Sequence, residues 1–164
     1  MLPEYFRRAW TLLRPGGVFL NHGIAFTAPQ PPFRDPTFFH HYVFPDGELL
    51  PLSTTLRAAE TSGFEVRDVE SLREHYVLTL RHWIERLEAA HDDARKMTDE
   101  ATYRVWRLYM GAAVHQFVSG RATLHQILLS KTVRGVAELP LTRRDWYVGD
   151  PGERTPDGRN TLSS

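Results

Sequence analysis

A helix stop followed by a short apolar strand, between Arg14 and Phe26, constrains the fold of this chain most strongly. Pro3 to Leu13 has the apolar spacing of a helix, and Gly16 follows it as a stop. The run Val18 to Ile24 is then short and apolar, which is typical of a strand covered on both faces in a parallel sheet. Periodicity alone also allows a buried helical segment. We interpret the run as a strand.

His22 lies near the carboxyl end of this predicted strand. Side chains alternate along a strand, so Val18, Leu20, His22 and Ile24 share one face. Open α/β sheets bind ligands just beyond the carboxyl ends of their strands. His22 is therefore a candidate site residue, and the alternative is a core histidine whose hydrogen bonds are satisfied internally.

The rest of the pattern alternates helices with strands, which predicts a layered α/β fold. The elements expected after the first strand are a helix capped by Ser53 or Thr54 and ending at Thr61, a strand from Phe64, a helix from Leu72 to about Ala90, the polar link HDDARKM, a helix from Thr98 or Asp99 to Ser119, and a strand from Thr123 to Val133. Three strands make a thin sheet. The first strand is too apolar for an edge, so another strand should lie beside it.

An aromatic segment, Phe38 to Phe44, follows the proline-rich loop after the first strand. We read the segment as a loop because a Pro-Asp-Gly turn comes directly after it, at Pro45 to Gly47. It is either a lid over an apolar substrate or a cover for the edge of the sheet.

Composition excludes several classes of function. Twenty basic and twenty acidic residues give no net charge, and no run of Lys or Arg suits nucleic acid. The absence of cysteine removes disulfides and thiolate metal sites. His40 and His41 point apart in an extended segment and have no chelating spacing, so no metal is expected. No stretch reaches the roughly 20 apolar residues of a membrane span. The expected location is the cytoplasm, with peripheral contact to the inner face of the membrane left open.

Five segments together resemble the cyclopropane-fatty-acyl-phospholipid synthase and mycolic acid cyclopropane synthase family of S-adenosylmethionine-dependent methyltransferases. They are LLRPGGVFLNHGI, YVFPDGELLP, AAETSGFEVRDVESLREHYVLTLRHWIERLE, and YRVWRLYMGAAVHQFVSG with HQILLSK. The resemblance covers Leu2 to Trp146, and Gly63 to Trp83 is its most specific part. It implies the C-terminal part of a doubly wound, Rossmann-like class I methyltransferase sheet, with about three strands and a two-helix insertion.

The resemblance also implies a site that holds a bicarbonate ion. The family's His-x-Ile at the end of this strand corresponds to His22 and Ile24, and its Tyr seven residues before a Trp corresponds to Tyr76 before Trp83. In the family, the alkene of a lipid acyl chain attacks the sulfonium methyl of S-adenosylmethionine, and bicarbonate then removes a proton so that the ring closes. Imidazole and phenol groups can donate to such an anion. Without the resemblance, Tyr76 would be read as part of the apolar stripe of its helix.

The family's glycine-rich cofactor loop has no counterpart here, since no GxGxG occurs in the sequence. The resemblance therefore implies that residues 1–148 are a partial methyltransferase domain with no cofactor-binding residues of its own, followed by a disordered tail at 149–164. We expect the chain to be inactive alone and to need a complementary N-terminal chain or a homo-oligomer. The open edge of the first strand predicts self-association of the isolated chain. The alternative function is a non-catalytic lipid-binding or interaction module.

Overall fold

The computed structural model describes residues 2–27, 38–45 and 49–147. Its described elements are α1 (Leu2–Leu12), β1 (Val18–Phe26), α2 (Phe38–Tyr42), α3 (Leu52–Thr61), β2 (Glu65–Ser71), α4 (Arg73–Ala89), α5 (His91–Met97), α6 (Glu100–Val118), β3 (Ala122–Ser130) and α7 (Arg144–Tyr147). The three strands form one sheet in the order β1-β3-β2. This confirms the predicted α/β class and the two long helices, α4 and α6, between the last two strands, with the short helix α5 between them. The expected tail at 149–164 lies outside the described residues.

Two local predictions are wrong because short helices replace expected loops. The aromatic segment forms α2, and the polar link forms α5. In α5, Asp92 and Asp93 occupy the first turn and Arg95 and Lys96 the last, an arrangement that complements the helix dipole. This charge order is the signal that an apolar periodicity search overlooks.

Two element ends also differ from the prediction. Pro51, rather than Ser53 or Thr54, occupies the N-cap position of α3, with no side-chain cap. Strand β3 ends at Ser130 instead of Val133. By contrast, Asp99 caps α6 as expected, since its carboxylate accepts a hydrogen bond from the Thr102 amide at 2.6 Å.

Strand β1 differs from the expectation of a doubly covered strand with parallel neighbours. Its neighbour among the described residues is β3, which runs antiparallel and pairs Val18 with Ser130 and Phe26 with Ala122. Val18 and Leu20 are 46% and 52% exposed. Within residues 2–27, 38–45 and 49–147, β1 is thus an edge strand that retains the apolar sequence of an interior one.

Two apolar clusters pack on opposite faces of the sheet. On one, called here the α4–α6 face, Leu80, Phe117 and Leu124 belong to a cluster that Ile24 also contacts. On the other, the α1–α3 face, Phe6, Phe64 and Leu129 belong to a second cluster. Alternation along β3 explains the division, because Leu124 and Leu129 differ by an odd number of positions. The sheet is therefore covered by helices on both faces.

Lys131 links the C-terminal end of α1 to the sheet through hydrogen bonds. Its ammonium donates to the carbonyls of Trp10 and Leu13 at 2.7 and 2.8 Å, and lies 4.8 Å from the centre of the Trp10 ring. A cation at a helix C-terminus satisfies carbonyls that the helix itself leaves unpaired. Lys131, which directly follows β3, therefore couples α1 to the central strand.

Replacing Lys131 by Met keeps the aliphatic stem and removes both charge-assisted hydrogen bonds. We expect the free energy of unfolding to fall by about 2 kcal/mol. The measurement is urea denaturation, with Lys96→Met as the matched control, because Lys96 makes an exposed ion pair with Asp93 that contributes little. Equal changes in the two variants would contradict this role for Lys131.

Candidate functional site

Strand β1 presents His22 and Ile24 on the α4–α6 face. Ile24 packs against the cluster built on that face, and His22, two residues earlier, shares its side of the strand. The His22 side chain is exposed, so the alternative of a buried and satisfied core histidine does not hold in this structure. Its partner position on β3 is Gln126.

The backbone amide of Ile24 points to the open edge of β1. The Thr27 amide donates toward β3, to the Arg121 carbonyl at 3.2 Å, and the adjacent Phe26 amide donates the opposite way, to the Leu50 carbonyl at 3.3 Å. Amide direction alternates along an antiparallel strand, so the amide of Ile24 points away from β3 as that of Phe26 does. An N–H donor thus lies beside the exposed His22 side chain.

Tyr76 lies in the first half of α4 and packs against the same apolar cluster as Ile24. Its ring centre is 4.9 Å from that of Phe117 and 5.9 Å from that of Trp83. Burial raises the pKa of the Tyr76 hydroxyl above its ordinary value. A phenol is protonated at neutral pH even at its ordinary pKa, and this shift keeps Tyr76 a hydrogen-bond donor to higher pH.

Half-exposed aromatic side chains lie on the same α4–α6 face as Tyr76. Trp83 is 45% and Trp106 43% exposed, and the Tyr109 ring lies 5.6 Å from both Trp106 and Phe44. Burial, followed by the neighbouring Tyr76, raises the pKa of Tyr109. Because Phe44 belongs to the aromatic segment after β1, that segment reaches helix α6 on the site face. This contact agrees with the lid alternative.

The three predicted site residues thus occupy one face of the molecule. Ile24 and Tyr76 join one apolar cluster, and His22 is exposed beside Ile24 on β1. Their groups comprise an imidazole, a backbone N–H and a neutral phenol, all of which can donate to an oxyanion. The adjoining aromatic surface suits a hydrocarbon rather than a charged substrate.

Histidine 125 is a residue that sequence analysis did not single out. Its Nδ1 atom is buried and has no hydrogen-bond partner among the described residues, and burial lowers its pKa. It projects to the α1–α3 face, away from the site, because it lies an odd number of positions from Leu124. Only the strand register, which places it opposite Gly23, could have drawn attention to it.

The model of the mycolic acid cyclopropane synthetase family matches residues 1–127. Among curated proteins, a probable fatty acid methyltransferase of Pseudomonas putida is 42% identical over 150 residues, covering 89% of this chain and 38% of the relative. The tuberculostearic acid methyltransferase UfaA1 of Mycobacterium tuberculosis is 33% identical, covering 76% of this chain and 30% of the relative.

Solved structures agree with these sequence relationships. The cyclopropane synthase MmaA2 from Mycobacterium tuberculosis superposes with a TM-score of 0.71 at 26% identity, covering 79% of this chain and 50% of that one. The mycolic acid cyclopropane synthase CmaA1 complexed with SAH and CTAB gives a TM-score of 0.70 at 25% identity, with the same coverage. The chain therefore spans half or less of the length of these relatives. Among the described residues, no helix is both long and apolar enough to cross a membrane.

Proposed function

The chain belongs to the mycolic acid cyclopropane synthetase family, and we propose that it forms the acyl-chain side of an S-adenosylmethionine-dependent methyltransferase acting on unsaturated lipid acyl chains. The observation that carries the proposal is the placement of His22, Ile24 and Tyr76 on one face, beside half-exposed aromatic rings. The name of the Pseudomonas putida relative, a probable fatty acid methyltransferase, agrees with this substrate class.

In this proposal, the donors on the α4–α6 face hold bicarbonate. The imidazole of His22, the outward amide of Ile24 and the hydroxyl of Tyr76 each donate to one of its oxygens. The phenol of Tyr76 is neutral at physiological pH, as this role requires, and burial raises its pKa so that the neutral form persists to higher pH. When bound, bicarbonate supplies the base that accepts a proton from the methylated acyl chain.

The aromatic surface receives the hydrocarbon. Trp83, Trp106 and Phe44 are each about half exposed, and burial against an acyl chain would remove this apolar area from water. The Phe44–Tyr109 contact holds the aromatic segment against α6, where it can cover the substrate and exclude water.

We further propose that a complementary stretch of polypeptide, equivalent to the part of the relatives that this chain does not match, holds S-adenosylmethionine and pairs with β1. Two features support this assignment. The amides of Val18, Leu20 and His22, which point away from β3 ahead of the amide assigned to bicarbonate, have no partner strand among the described residues. Beside that edge, a groove of about 420 Å³ is lined by Phe19 and by residues of α1 and its C-terminal end, which are mostly apolar but include Arg8. A strand followed by a helix would cover both features.

Binding of an acyl chain can be tested by tryptophan fluorescence. The probe is dibrominated stearate, whose bromines quench indoles that they touch. We expect saturable quenching of most of the emission in variants that retain Trp83 or Trp106 alone. The matched control retains Trp10 alone, which lies beneath Lys131 on the other face of the sheet. Equal quenching of Trp10 would indicate detergent-like binding and would contradict the proposed acyl surface.

A further inference from the structure

A second recess, independent of the proposed site, lies on the α1–α3 face of the sheet. It has a volume of about 170 Å³ and is bounded by the start of α1, by β1 and β3, and by the start of α3. Because side chains alternate, the residues of β1 with odd numbers face it, whereas His22 faces the other way. The recess and the proposed bicarbonate site therefore share strand β1, but they lie on opposite faces of the sheet.

Gly23 creates the space. It is paired directly with His125 on the neighbouring strand, so a side chain at position 23 would lie beside the imidazole. A Cβ built on Gly23 meets nothing closer than the amide nitrogen of Asn21, at 3.7 Å. Glycine in the interior of a strand often marks a place where a ligand approaches the backbone.

His125 supplies an unpaired polar group in the wall of the recess. Its Nδ1 is buried without a partner, whereas the ring as a whole is half-buried and lines the recess. Burial lowers the pKa of the imidazole, which is therefore neutral at neutral pH. A neutral imidazole carries its proton on one of its two nitrogens. In the Nδ1–H tautomer, the buried and unpaired Nδ1 of His125 is a donor whose missing partner a ligand oxygen can supply.

Asn21 and Thr55 add polar groups to the same wall. The Tyr5 hydroxyl donates to Oδ1 of Asn21 at 3.1 Å, which leaves the amide nitrogen as the available donor. The remaining lining is mostly aliphatic and includes Leu52 and Ile127; among the residues that the structure describes, no Lys, Arg, Asp or Glu lines the recess. An ionised ligand would therefore lose its hydration without gaining a counter-charge.

We propose that this recess binds a small neutral molecule that carries an acceptor oxygen on an apolar body. The donors of His125 and Asn21 and the Thr55 hydroxyl recognise the oxygen, and the aliphatic wall receives the body. The volume resembles that of an engineered cavity of roughly 150 Å³ that holds benzene. The largest ligand body that the recess can hold is therefore a single six-membered ring.

Cyclohexanone is the probe that tests this assignment, with methylcyclohexane as its apolar match and cyclohexanecarboxylate as its charged match. In titrations of the full chain followed by NMR, cyclohexanone should shift the amide signals of Gly23 and His125 saturably. Methylcyclohexane should bind about tenfold more weakly, since it leaves the donors unpaired. Cyclohexanecarboxylate should bind more weakly still.

Gly23→Leu fills the recess and should abolish binding of cyclohexanone. Gly111→Leu is the matched control, because a Cβ on Gly111 meets no atom within 4 Å on the exposed side of α6, and binding should be unchanged. If Gly23→Leu does not fold, His125→Phe serves instead, and it should weaken cyclohexanone about tenfold while leaving methylcyclohexane unaffected. Failure of cyclohexanone to bind, or binding that survives both substitutions, overturns the proposal.

Discussion

Replacing Tyr76 by Phe lowers methyl transfer to lipid by about a hundredfold in an enzyme assembled from this chain and a complementary cofactor-binding half. The substitution removes one hydroxyl and preserves the ring that packs on Phe117 and Trp83. The proposed bicarbonate then loses a neutral donor while the fold keeps its apolar contacts. His22→Ala should have an effect of similar size, because it removes the exposed donor next to Ile24.

Two variants control for the loss of a hydroxyl or an imidazole elsewhere in the chain, on α6 and on α4. Tyr103→Phe changes a buried tyrosine of α6 whose ring packs on His91, and His82→Ala changes an exposed histidine of α4 that pairs with Glu85. Both should retain nearly full activity. A pH profile adds a readout of Tyr76 itself: because burial raises its pKa, loss of activity through its ionisation should begin above the usual range for tyrosine. If Tyr76→Phe and Tyr103→Phe have equal activity, Tyr76 has no role in holding the anion.

Replacing Leu129 by Ala destabilises the chain by about 3 kcal/mol. Leu129 is 0% exposed and lies on β3, the central strand, in the cluster with Phe6 and Phe64. The truncation removes buried methyl groups and leaves a cavity that strand pairing on both sides prevents from collapsing. Domains are stable by only about 5–15 kcal/mol, so this loss is a large fraction of the total.

Thermal or urea unfolding monitored by circular dichroism measures this effect. Leu141→Ala makes the same chemical change at a side chain that is 98% exposed, and its unfolding should match that of the unmodified chain. If the Leu129→Ala variant unfolds at the same temperature or urea concentration as Leu141→Ala, the α1–α3 cluster is not the stabilising core.

Local sequence patterns predicted most elements because apolar periodicity carries their signal. The strand at Val18 and the helices α4 and α6 follow directly from such spacing. The short helix α5 was missed because its stability signal is charge order rather than apolar spacing. Strand order was not predictable from these patterns, since pairing of β1 with β3 joins residues about a hundred positions apart.

The site residues were predicted from a different signal than the helices and strands. Spacing alone favoured a core role for Tyr76, and only the family resemblance linked it with His22 and Ile24. The structure adds their common face, the outward amide of Ile24 and the neutral phenol of Tyr76. The recess at Gly23 was beyond sequence reasoning, because it depends on the register that sets this glycine opposite His125.

The most direct test of the account is mass spectrometry of lipid products made by a chimera. In it, this chain replaces the matching part of the Pseudomonas putida fatty acid methyltransferase, whose remaining sequence supplies the complementary half. Calorimetric titration with S-adenosylhomocysteine first establishes that the chimera holds the cofactor. With S-adenosylmethionine and unsaturated phospholipid, the account predicts an acyl chain heavier by one methylene, and no such product from this chain alone. A chimera that binds the cofactor but leaves the acyl chains unchanged would contradict it.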